Sequence, residues 1–142
     1  MDAHSSISTS TIRAYEETEY RVFGNMPMTL RIGIRHALLA CLHLEHNVEC
    51  SAFVTAANPL GILNSDAENA RYQTALSEEL THKGLRSISG VGQHPSGQWP
   101  GEPSFLILGL SLEAASQLGV QYKQNAIVWC GNDATPQLIL LR

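Results

Sequence analysis

Met28, Leu30, Ile32 and Ile34 alternate with Thr29, Arg31, Gly33 and Arg35, the two-residue period of a strand with one face in a core. Tyr20–Phe23 reads as a second strand, and Gly24-Asn25 with Pro27 supplies the turn between them, which predicts a hairpin. The same alternation sets Arg31 on the face opposite the apolar set. Before the hairpin, a short helix over residues 8–19 has a thin apolar stripe of Ile12 and Tyr15. After it, Leu38, Cys41 and Leu42 fall at helical spacing within residues 36–45.

Residues 50–57 are continuous and apolar around Phe53 and Val54, as in a strand covered on both faces. That strand stops at Asn58-Pro59, where the proline is expected to hold Asn58 extended. Ser65-Asp66-Ala67-Glu68 is a capping box that opens a long helix, closed by Gly84. Ile88 and Val91 mark a strand, and Gly92–Pro103 is a Gly/Pro-rich loop containing Trp99. Ser104–Leu110 is again a continuous apolar strand. Ser111 caps a short helix with Leu112, Ala115 and Leu118, stopped by Gly119. Ala126–Trp129 and Gln137–Leu141 form the last two strands, joined through Gly131-Asn132-Asp133. Helices and strands are mixed but hairpins are frequent. The expectation is a single compact α+β domain over residues 12–142, with a mixed, mostly antiparallel sheet, about four helices and a flexible tail over residues 1–11.

Length and composition narrow the function classes. A chain of 142 residues with 44% hydrophobic and 15% charged residues can bury its own core. The net charge of −4 and the lack of any Lys/Arg run argue against nucleic acid as a partner. No apolar stretch approaches the ~18 residues of a membrane span, and the Ser/Thr-rich beginning of the chain lacks the apolar core of a secretory signal. Cys41, Cys50 and Cys130 are an odd number of cysteines, which fits free thiols in a reducing, cytoplasmic setting.

Candidate chemistry lies where amides and charges meet the ends of apolar elements. Asn69 falls on the stripe of Tyr72, Leu76 and Leu80, in the first turn of its helix. It either holds the loop around residues 58–64 or points into a pocket. Asn58 ends a buried strand, a place where ligands gather in open sheets and where asparagine also builds turns. Gln124 and Asn125 enter the next-to-last strand, and alternation allows one of them to share a pocket with Asn58. Glu102 precedes the strand at Ser104. Cys41, His43, His46 and Cys50 offer zinc-type donors, but a buried thiol on a helix stripe, a strand-start cysteine and two helix-end histidines account for them. No cofactor is predicted. The chain has no G-x-S-x-G, G-x-G-x-x-G, P-loop or H-E-x-x-H. Amides recognise but do not exchange protons near neutral pH, so catalysis would fall to Glu102, His94, Tyr15 or Tyr20.

Thr55-Ala56-Ala57-Asn58-Pro59, Asn69, Glu102-Pro103-Ser104-Phe105-Leu106 and Gln124-Asn125-Ala126-Ile127-Val128-Trp129 together resemble the bacterial family catalogued as domain of unknown function 3293. Tyr20-Arg21-Val22-Phe23 and Leu30-Arg31-Ile32-Gly33 fit the same resemblance, which runs over residues 14–142. It supports the choice of positions and implies no activity. Two readings follow. One is a small-molecule-binding domain, or an enzyme without a familiar motif, whose pocket combines Asn58, Asn69, Glu102, Gln124, Asn125 and Arg31. An arginine with amides would suit a planar polar ligand such as a nucleobase or a carboxylate. The other is a protein-interaction module with structural amides and Trp99 as its anchor.

Overall fold

The computed structural model describes residues 5–142. In chain order the elements are α1 (Thr9–Glu17), β1 (Glu19–Val22), β2 (Met28–Leu30), α2 (Ala37–Glu45), β3 (Ser51–Thr55), a 3-10 turn (Pro59–Gly61), α3 (Asp66–His82), β4 (Ser87–Gln93), β5 (Glu102–Leu108), α4 (Leu112–Gln121), β6 (Ala126–Cys130) and β7 (Pro136–Leu140). The strands form one sheet in the order β2-β1-β4-β5-β3-β6-β7, and every pairing is antiparallel. This is an α+β fold with four α-helices, as the patterning predicts.

Strand parity explains the two cores. Phe53, Leu106, Leu108, Val128 and Cys130 join Tyr20, Val22, Met28 and Leu30 on one face, which Leu39 and Leu42 of α2 cover. Ala52, Val54, Ile107 and Ile127 occupy the other face, under Leu76 and Leu80 of α3 and Ala115 and Leu118 of α4. The first cluster draws on nearly every strand, because the sheet curls around it. The curl brings the two outer strands together: Gly33 N–H donates to Pro136 O at 2.8 Å and His36 N–H to Ala134 O at 3.0 Å.

Several elements differ from their expected bounds. The strand expected over residues 28–34 stops at Leu30. There Arg31 and Ile34 form a one-bridge turn around Gly33, whose φ of +82° suits glycine. Gly119 does not end α4. It is buried within the helix, where an added Cβ would lie 2.5 Å from Leu141 Cδ1 and 2.8 Å from Ile127 Cγ2. It is a close-packing glycine, and the helix runs on to Gln121. β4 and β5 extend into the stretch expected as loop, through Gln93 and from Glu102. Of the residues read as a tail, 1–4 lie outside the described residues and 9–11 are the first turn of α1, capped by the Ser8 hydroxyl. No helix among the described residues is long and apolar enough to cross a membrane.

Candidate functional site

α2 fills one end of the curled face, and the other end is left open. Directly paired residues share a face, so the registers Tyr20–Gly92–Glu102 and Gly90–Ser104–Thr55 lay two rows of small or polar side chains across β1, β4, β5 and β3. Gly90 is needed for close approach, since a Cβ would sit 2.9 Å from the Phe53 ring and 2.3 Å from Arg21 O. Gly92, one pleat further on, leaves space instead. The result is a cavity of about 80 Å³, walled by Tyr15, Thr18, Tyr20, Thr55, Asn58, Glu102, Ser104, Gln124 and Asn125 among others. A single water needs roughly 10–15 Å³ of such space, so it takes several waters or a compact ligand.

Asn58 is the hinge of the site. It is not extended: φ is +49° and ψ is 60°, the left-handed conformation that asparagine tolerates. Proline disfavours the right-handed helical region for its predecessor but leaves this one open, and side-chain bonds hold Asn58 there. Its N–H donates to Asn69 Oδ1 at 2.9 Å, while its Oδ1 accepts from Asn69 Nδ2 and from Asn64 N–H, both at 2.9 Å. Its Nδ2 donates to Glu102 Oε2 at 2.8 Å. Asn69 therefore holds the 58–64 loop from behind. The loop is pinned to the next wall as well: Leu60 N–H donates to Lys123 O at 2.7 Å, and Gly61 leaves room for Asn125 Nδ2, which an added Cβ would meet at 2.8 Å.

Asn125 Nδ2 donates to Tyr15 Oη at 3.0 Å, and its Oδ1 accepts from Arg142 at 2.7 Å. Gln124 Nε2 donates to Ala57 O and Tyr122 O at 3.1 and 3.2 Å. Both residues border the cavity, contrary to the alternation argument, because they precede β6 and do not yet follow its pleat. Arg31 is not part of the site. It is exposed and bonds Glu19 at 2.9 Å on the outer edge, since its strand has already turned.

The amides are thus largely spent on the backbone and on one another. What remains is the Glu102 carboxyl, whose only hydrogen-bond donor among the described residues is Asn58. Burial pushes the Glu102 carboxyl above the usual carboxylate range, and the Asn58 bond opposes that rise. Burial also raises the Tyr15 phenol, with Glu102 adding to the rise while Asn125 and Arg142 oppose it. As chemical groups, Tyr15 and Tyr20 enter the sequence reading as able to move a proton, not as cavity walls. Thr18, Gly61 and Arg142 are not singled out there, and Gly92 enters only as the start of a loop. The one local signal was the thin stripe of α1, which is thin because Tyr15 faces the cavity and not a packed core.

The zinc-type donors disperse. His43 is buried with Nε2 2.8 Å from Ser51 Oγ, His46 bonds Arg86, Cys50 bonds Leu110 O, and Cys41 is exposed and not on the core stripe. Trp99 is half exposed, with its ring edge-on to His94 at 4.6 Å.

The chain matches the family model described as "Protein of unknown function (DUF3293)" over residues 54–127, and it belongs to that family. The matched stretch carries Asn58, Asn69, Glu102, Gln124 and Asn125. No curated protein and no solved structure matches the chain.

Proposed function

We propose that this family member binds a small molecule in the cavity at the open end of its curled sheet. The observation that carries the reading is convergence. Side chains from α1, the 58–61 loop, the start of β5 and the entry to β6 surround one space, and among the described residues they leave one carboxyl, Glu102, without a basic partner. A fold with no use for this space could close it with a larger residue at Gly92, where a Cβ would make ordinary contacts of 3.7–3.9 Å. The carboxylate-binding version of the pocket loses its cation with Arg31. Three unpaired cysteines and the absence of a basic cluster fit a reducing compartment and a non-nucleic-acid ligand.

The test is native mass spectrometry of freshly purified protein beside a Gly92→Val variant, which fills the cavity without removing a polar group. The expected result is a small-molecule adduct in the parent that is lost in the variant. The reading fails if no adduct forms and Asn125→Ala destabilises the fold as strongly as a core truncation. The amides would then be structural clamps, and the exposed Trp99 would become the better starting point.

A further inference from the structure

Four of the five hydroxyl groups around the cavity send their proton out of it; the fifth, Tyr15, accepts from Asn125 and keeps its proton uncommitted among the described residues. Thr18 donates to Ala14 O at 2.7 Å, Tyr20 to Tyr15 O at 2.6 Å, Thr55 to Pro103 O at 2.7 Å and Ser104 to Glu102 O at 2.9 Å. Each hydroxyl has one proton, so each of these oxygens can turn only lone pairs to the interior. Gln124 directs its Nε2 at two carbonyls, and Asn58 and Asn125 each commit a proton to a neighbour. Glu102 receives one bond, at Oε2. Its Oε1 accepts none, and among the described residues no sealed side-chain oxygen lacks a partner, so this atom is accessible, on a residue that borders the cavity. Among the described residues no lysine, arginine or histidine borders this cavity. Arg142 lies beyond Asn125, whose Oδ1 accepts its guanidinium proton.

We propose that the cavity selects a compact cation rich in N–H donors, an alkylammonium, amidinium or guanidinium head, anchored on Glu102 Oε1 and ringed by the lone pairs of Thr18, Tyr20 and Ser104. This rests on the binding reading above and names its ligand class. An N–H cation supplies the positive charge that the wall lacks and donors for its lone pairs, whereas an anion would face the Glu102 carboxylate with no cation beside it. The titratable groups facing Glu102 are Tyr15 of α1 and Tyr20 of β1, both held neutral by burial. A bound cation favours the ionised carboxyl, so binding expels a proton and tightens as pH rises through the Glu102 titration.

The experiment uses methylammonium, acetamidinium, acetamide and acetate as probes at constant ionic strength, followed through the backbone amide resonances of Gly61, Gly92 and Ala126. The two cations are expected to give saturable shifts at these amides. Acetate should give none, and Glu102→Gln should weaken acetamidinium at least tenfold while keeping the parent spectrum elsewhere. Equal shifts from acetamide or acetate, unchanged in Glu102→Gln, would overturn the cation assignment and leave the binding cavity standing. If none of the four probes moves a cavity amide, and no probe differs between the parent and Gly92→Val, both readings fall.

Discussion

Asn58 shows how one residue can set both a backbone and a charge environment. Replacement by alanine removes three side-chain bonds, takes the Asn58 donor from Glu102 and keeps a positive φ that alanine resists. The expected loss is about 2–4 kcal/mol in urea unfolding. Asn58→Gly keeps the backbone conformation at little steric cost and should be milder by up to ~1 kcal/mol. Equal losses would mean that the left-handed turn contributes nothing. His43 is a second single-residue device, joined to Ser51 inside the core. Burial lowers its pKa, so the folded state holds it neutral while the unfolded chain protonates near its ordinary value of about 6.5. Its stabilising effect is present above that value and lost as pH falls through it. His43→Gln should therefore flatten the fall of the melting temperature between about pH 7.5 and pH 5. At this scale the sequence was half legible. Residue types and element ends point to Asn58, Asn69, Glu102 and Asn125, but hydrogen-bond direction, which decides what the cavity can accept, has no trace in residue order.

Among the elements, those carried by strong periodicity or a cap match their reading: α3 from its capping box, and β3 and β6 from continuous apolar runs. Errors fall on residues with two physical uses. Glycine at residue 119 reads as a helix stop but serves as a contact surface for Leu141 and Ile127. Gly119→Ala is accordingly expected to lower stability by about 1–3 kcal/mol in chemical denaturation, although helix propensity alone favours alanine by roughly 1 kcal/mol. A neutral or stabilising result would show that Leu141 and Ile127 give way freely. In the same way, the alternation of Met28 to Ile34 continues past the strand end, because Ile32 packs on the core from a turn. Gly92 read as a loop start is a strand residue that keeps the cavity open.

For the molecule as a whole, chain order says little about strand order, and the meeting of β1 with β4 and of β3 with β5 is what assembles the site. The same assembly carries a stability cost. The Glu102 pKa is raised in the folded state, so folding is favoured below the ordinary carboxyl range and loses that contribution as pH rises through the folded value. Glu102→Gln keeps an acceptor for Asn58 and should melt higher than the parent near neutral pH, with the difference shrinking on acidification. A variant no more stable than the parent at any pH would count against a destabilising carboxylate. The contact between the turn after β2 and the start of β7 has its own consequence. It joins segments distant in sequence, so its closure entropy favours late formation. Until the ends meet, the partly folded chain presents two bare strand edges, templates for intermolecular pairing that the finished sheet turns toward each other. A clasp that closes late would thus also be the step that covers those edges.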